Sequence, residues 1–188
     1  RSLRIAGYDF DEALISWLRR RHGLIVGQPT AETLKVEIGS AAPLEVEREG
    51  EVRGRDAVSG LPRGLTISSE EVRAALDEAV QAIVDAVRWA LEQTPPELAG
   101  DVADTGILLA GGSSLLAGFP ERLTQQTGLP ARLADSPLTC VAEGAGRSLE
   151  GLRGLTRKAR ISRRYSATSP YRRPTTAADR AAQAGHHE

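Results

Sequence analysis

The sequence predicts an α/β fold, and three observations lead there. Stretches with apolar residues at helical spacing alternate with short apolar runs suited to buried strands. One helix, from Ser68 to Leu91, keeps its period for about six turns. A glycine-rich turn, Gly111-Gly112-Ser113-Ser114, follows a short apolar run and leads into a further helix. The 188 residues, 40% of them hydrophobic, suffice for one domain with a real core, or one domain plus a small subdomain.

Ser2–Ala6 reads as a strand carrying Leu3 and Ile5, so sequence upstream of Arg1 is expected; Gly7 breaks the strand. Asp9 is expected to cap the first helix, with Glu12 three residues on. Phe10, Ala13, Leu14, Trp17 and Leu18 form its apolar face, Arg19–Arg21 suit the dipole of its last turn, and Gly23 stops it. A second helix is expected from Thr30, as cap, to about Ile38. From Leu44 to Asp56, Leu44, Val46 and Val52 alternate with charged residues around Glu49-Gly50, which predicts a half-exposed hairpin turning at that pair. Gly64–Ile67 reads as a third strand.

Ser68 and Glu71 form a capping box for the long helix, whose apolar row is Val72, Leu76, Val80, Ile83, Val87 and Leu91. Pro95 and Pro96 end it. A short helical piece over Glu97–Val102, a buried strand over Gly106–Ala110, a helix over Pro120–Thr127, a strand over Ala131–Ala134 and a last helix over Leu138–Leu149 complete the pattern. From about Arg153 the residues are Arg, Ser, Thr, Pro and Ala with few apolar side chains to bury, so a disordered tail is expected.

The formal net charge of -1 hides an asymmetry. Residues 1–152 hold 15 Lys and Arg against 23 Asp and Glu, whereas residues 153–188 hold 9 against 2. An acidic body with a basic tail does not read as a nucleic-acid binder. The single Cys140 excludes an internal disulfide framework, fits a reducing compartment and reads as a small buried filler. No stretch has the length of a membrane span, and the opening residues do not read as a signal peptide.

The glycine-rich turn is the best candidate site, since glycines let the backbone approach a ligand and a following helix start offers N–H groups. A plain strand-to-helix turn accounts for it equally well. Glu32 and Lys35 lie three apart on one helix face and read either as a surface ion pair or as a pair holding a nucleotide's sugar or base. Asp9 and Asp11 resemble a carboxylate pair for metal or acid–base work, but caps and first-turn dipole partners are commoner. His22 reads as a cation at a helix C-terminus, and His186 and His187 have no partners for a metal site. Walker, GxSxG, HExxH and CxxC motifs are absent from the sequence.

Taken together, the segments resemble the MreB family of bacterial actin homologues. The resemblance rests on Gly7-Tyr-Asp-Phe-Asp-Glu-Ala13, Thr30-Ala-Glu-Thr-Leu-Lys-Val-Glu-Ile-Gly-Ser-Ala41, Val52-Arg-Gly-Arg-Asp56 with Gly60-Leu-Pro-Arg63, Thr94-Pro-Pro-Glu-Leu-Ala99, Ala110-Gly-Gly-Ser-Ser-Leu-Leu116 and Asp135-Ser-Pro-Leu-Thr-Cys-Val-Ala142, in family order and spacing across residues 1–152. It implies the second lobe of an actin-like ATPase fold of the ribonuclease H-like kind. Residues 1–24 and 66–152 would form its core subdomain and 25–65 a small α+β insertion, with the tail after them.

The resemblance carries adenosine contacts to Glu32, Thr33, Leu34 and Lys35 and to Gly111, Gly112, Ser113, Ser114, Leu115 and Leu116. Ser113 stands where the family motif has a third glycine. A positive φ there would strain it. The family's phosphate loops, and the residue that positions the hydrolytic water, lie upstream of the matched segment. ATP is therefore the implied cofactor, Mg2+ is expected only with the missing N-terminal lobe, and this chain alone is not expected to hydrolyse ATP. Implied partners are further copies in a filament and the family's cell-shape and wall-synthesis proteins. The implied location is the bacterial cytoplasm at the membrane periphery, with the main membrane anchor outside this chain. A superfamily ATPase, or a chaperone-like or scaffold module needing a separate N-terminal lobe, is the alternative.

Overall fold

The structure is a computed structural model, described here for residues 2–149. It divides into two compact units, Arg1–Ala142 and Glu143–Glu188. Residues 140–149 are helical. The disorder expected of residues 153–188 lies outside the described residues.

Helix α1 spans Gly7–His22, strand β1 Leu24–Ile25, helix α2 Gln28–Ile38, strand β2 Glu49–Asp56 and strand β3 Pro62–Ser68. Helix α3 spans Ser69–Glu92, helix α4 Pro96–Thr105 and strand β4 Ile107–Leu109. A four-residue 3-10 turn, Gly112–Leu115, precedes helix α5, Phe119–Thr127, and strand β5, Ala131–Leu133. Two sheets result. One is antiparallel in the order β1-β2-β3, and the other pairs β4 with β5 in parallel. A parallel pair joined through a helix is the α/β signature that the sequence predicted.

Helix α1 buries Phe10, Leu14 and Leu18 at four-residue spacing. From α2 come Ala31, Leu34 and Ile38, and from α3 Val72, Leu76, Val80 and Val84. These side chains meet Val52 of β2 and Ile67 of β3 in one core that continues to Leu116, Phe119 and Leu123. The buried row of α3 steps by four throughout and so winds around the helix more than expected. Val84 takes an inner place, and Ile83 and Val87 are half-buried beside it. The Ser68–Glu71 capping box forms as expected: the Ser68 hydroxyl accepts the Glu71 N–H at 3.2 Å and the Glu71 carboxylate accepts the Ser68 N–H at 3.1 Å.

Several local expectations are corrected. Ser2–Ala6 is not a strand, because no strand among the described residues lies beside it to take its hydrogen bonds. Helix α1 begins at Gly7 after Ala6, so Asp9 is not its cap. Its carboxylate instead reaches back to accept the Ala6 N–H at 2.7 Å. Helix α2 starts at Gln28 rather than at a Thr30 cap, since Pro29 has the fixed φ that suits a first turn. The hairpin turns at residues 57–61, not at Glu49-Gly50, and Val46 stands exposed before it. Gly50 lies inside β2, paired with Ile67. A Cβ there would sit 3.2 Å from Ile38 Cδ1 and 3.3 Å from Leu34 Cδ1, so this glycine serves the close packing of α2 on the strand. Cys140 is half-buried, not a core filler, with its Sγ 3.7 Å from the Pro137 carbonyl.

Candidate functional site

Three segments far apart in sequence converge at the start of α1. Gly7 opens that helix, and its carbonyl oxygen accepts a hydrogen bond from the Lys35 ammonium of α2 at 3.1 Å. A Cβ placed on Gly7 would stand 3.6 Å from Ser113 Oγ and 3.7 Å from Lys35 Nζ. The absent side chain leaves a gap between a hydroxyl on one side and an ammonium on the other. Helix α2 and the glycine-rich loop, read separately in the sequence, meet here.

The scaffold beneath the gap is tightly built. After α2, Ser40 and Ala117 form a parallel bridge, and the Ala41 N–H donates to the Ala117 carbonyl at 2.7 Å. Arg122 of α5 reaches the same stretch at the Ala41 carbonyl, 3.5 Å away, and is itself tied to α3 by donating to Asp77 at 3.0 Å and to Gln81 at 2.9 Å. The end of α2 and the loop before α5 therefore have one fixed relation.

Within the loop, Gly111 has φ 90°, a conformation only glycine takes without strain, and nothing lies within 4 Å of where its Cβ would be. Its N–H donates to Pro137 O at 2.6 Å, and its carbonyl accepts the Ser114 hydroxyl at 2.6 Å. Ser113 lies in the 3-10 turn, and every non-glycine residue described has negative φ. The strain anticipated for Ser113 is absent, because the positive φ falls on Gly111. The element after the turn is a four-residue 3-10 piece, and α5 begins only at Phe119, so little helix dipole is focused on the loop.

The sequence candidates divide by environment. Leu34, 2% exposed, and Leu116, 7% exposed, are core residues. Ser114 is buried and bonded within its own turn. Leu115 is half-exposed and offers apolar surface at the loop. Glu32 is exposed and does not pair with Lys35. The Thr33 hydroxyl donates to the Pro29 carbonyl at 2.9 Å, and the residue borders a shallow depression between α2 and β2.

Lys35 pairs instead with Asp11, Nζ to Oδ1 at 2.7 Å, with the carboxylate side chain only 5% exposed. Asp11 is the residue that motif reading left without a role at the site. It follows Phe10 and lies three and seven residues before Leu14 and Leu18, so the helical period already puts it on the apolar side of α1. A carboxylate there requires a cation. Its partner from α2 could not be read from spacing. His22 ends α1 with Nε2 3.3 Å from Glu71 Oε1 and its ring edge-on to Trp17, away from the gap. Groups of three or more metal-ligating side chains are absent among the described residues.

The residues present fit an adenosine better than a phosphate chain. The loop presents open glycine backbone, a hydroxyl and the apolar Leu115, while the nearest cation is already neutralised by Asp11.

Solved structures with the same architecture define the class. The chain superimposes on MreB5 of Spiroplasma citri bound to AMPPNP with a TM-score of 0.80 and 38% identity, over 85% of this chain and 48% of that one. The ADP-bound form of the same protein gives 0.78. A MamK double helical filament shares the fold alone, at 0.65 and 24% identity, over 79% of this chain and 45% of that one. The fold is therefore that of an actin-like protein.

The family model described as MreB/Mbl protein matches residues 1–157, and the chain belongs to that family. It is 50% identical to the cell shape-determining protein MreB of Escherichia coli K12 over 149 residues, 79% of this chain and 43% of that protein. It is 39% identical to Mbl of Bacillus subtilis over 157 residues, 84% of this chain and 47% of that protein. The chain spans less than half the length of the relatives it matches.

Proposed function

We propose that this chain supplies the adenosine-binding half of an MreB-type cytoskeletal filament protein that sets rod cell shape and organises wall synthesis. ATP would lie with its adenosine in the gap bordered by Gly7, Lys35 and Ser113, against the Gly111–Leu116 loop. Its phosphates, with Mg2+, would extend toward groups on the other lobe. Residues 1–24 and 66–152 would serve as the core subdomain and 25–65 as the small α+β subdomain, the part that contains α2, β2 and the first residues of β3. The assembled protein would hydrolyse ATP, associate with further copies of itself and work in the bacterial cytoplasm near the membrane. Among the described residues no helix is long and apolar enough to cross a membrane.

The observation that carries this reading is the convergence of Gly7, Lys35 and Ser113 within 4 Å of one point, from three distant segments. The test is calorimetric titration of ATP into the 188-residue chain and into its Ser113→Leu variant. A leucine there would fill the gap, so ATP binding should fall at least tenfold while thermal unfolding stays cooperative. ATP binding that is unchanged by the substitution overturns the assignment.

A further inference from the structure

Strand β2 has one paired edge and one open edge. Successive residues of a strand direct their backbone N–H and C=O groups to opposite edges. The Asp56 N–H donates to the Leu61 carbonyl at 2.9 Å, on the β3 side, and the Ala57 N–H to the Gly23 carbonyl at 2.7 Å, on the β1 side. Counting back by twos, Arg55, Arg53, Glu51 and Glu49 turn their backbone groups to the β1 side. Strand β1 reaches only as far as Arg55, through Ile25, before the chain turns away into α2 at Gln28. Among the described residues, nothing takes the outward backbone groups of Arg53 and Glu51.

Against this edge lies a depression of about 340 Å³, bordered by Pro29, Thr30, Thr33 and Glu37 of α2 and by Glu51 and Arg53 of β2. A helix beside an open strand edge is the setting in which an extended peptide adds to a sheet: main-chain bonds hold it and the groove sorts its side chains. The charges here select the peptide. Arg53 is engaged by Glu51, at 3.0 and 3.2 Å, and Arg48 donates to the Glu37 carbonyl at 3.4 Å, not to its carboxylate. The exposed carboxylates of Glu37 and Glu49 have no ion-pair partner among the described residues.

We propose that this groove docks an extended, lysine- or arginine-bearing peptide of a partner protein, which pairs antiparallel with residues 49–53 of β2 in the line that β1 leaves. That edge is about 17 Å long, enough for a segment of five or six residues. Opposite charges on neighbouring strands favour a basic peptide over an acidic one. Gly7, Lys35 and Ser113 are not part of the groove, so the proposal stands apart from the nucleotide reading.

The test titrates fluorescein-labelled Lys-Val-Lys-Val-Lys-Val into the full chain, beside Glu-Val-Glu-Val-Glu-Val and a Lys-Val peptide N-methylated at its two central residues. Fluorescence anisotropy should show the basic peptide binding about tenfold more tightly than either control. Methylation keeps the charge and removes donors, so equal binding of the methylated peptide would show charge attraction alone and overturns the proposal. Equal binding of the acidic peptide, or no binding of the basic one, overturns it too. Within the chain, Arg53→Pro removes an outward N–H but spares the β2–β3 ladder, whose hydrogen bonds run through residues 50, 52 and 54. It also releases the Glu51 carboxylate, so the expected result is a loss of about tenfold despite the added negative charge. Unchanged affinity overturns the assignment. If Arg53→Pro fails to fold, Glu37→Gln replaces it; a fall of about threefold is expected, and none overturns the proposal. Binding that fades as the concentration of the chain rises would mean that a second copy fills the groove, and overturns it as well.

Discussion

The guanidinium of Arg73 on α3 meets the carboxylate of Glu47, in the segment before β2, at 2.9 Å. The same guanidinium donates to Ser40 Oγ at 3.0 Å and to the Ala42 carbonyl at 3.3 Å, and Glu47 also accepts from the Ser69 hydroxyl. One side chain thereby fixes the stretch that links α2 to the hairpin. Ser40 is fully buried, so Arg73→Ala would strip a donor from a desolvated oxygen, a loss of about 1–3 kcal/mol. Urea unfolding should show a lower midpoint with unchanged slope. An unaltered midpoint would show that the network is not holding the segment.

The same network has a pH signature. Hydrogen bonds from Arg73 and then from Ser69 lower the Glu47 carboxyl from 4.5 to about 2. The Ser59 N–H, then the Arg63 guanidinium, lower Asp56 from 3.8 to about 2. Both folded values lie below the unfolded ones, so the stabilisation is present above pH 4.5 and is lost as pH falls toward 2. Thermal unfolding between pH 5 and pH 2 should show a falling midpoint. Glu47→Gln should flatten part of that slope.

Removing the α3 cap tests whether the longest helix depends on its first turn. Ser68→Ala deletes the acceptor for the Glu71 N–H and should cost about 1 kcal/mol, read as a melting temperature lower by several degrees. Leu14→Ala, in the middle of the core and 0% exposed, should cost more, about 2–5 kcal/mol. Equal effects from the two would contradict the core described for α1.

Gly7→Ala separates stability from ligand binding. The added methyl fits at ordinary contact distances from Ser113 Oγ and Lys35 Nζ, and alanine is the better helix former. Thermal stability should hold or rise, while ATP affinity should drop several-fold as the gap fills. Undiminished affinity would argue that adenosine lies elsewhere.

Much of this was legible in the sequence because it depends on neighbours along the chain. The α3 capping box, the apolar row of α1, the first half of that of α3 and the order of elements from α3 onward follow from local spacing and turn chemistry. The misplaced hairpin turn has a different cause. Gly50 looks like a turn residue, but it is a strand residue thinned to admit Ile38 and Leu34 of α2. The Glu49-Gly50 pair alone could not reveal that.

At the candidate site the same division holds. Motif order pointed to α2 and to the Gly111–Leu116 loop, while Asp11 reads as a first-turn carboxylate although its spacing to Leu14 and Leu18 is that of a buried position. The spacing of Leu34 and Ile38 already marked the apolar side of α2. Only the tertiary structure turned Lys35 from Glu32 to Asp11, sank Leu116 into the core and brought Ser113 to Gly7. Helical period and capping are settled by residues three or four apart. Pairing a buried charge depends on which helices pack together, and that is decided by the core as a whole.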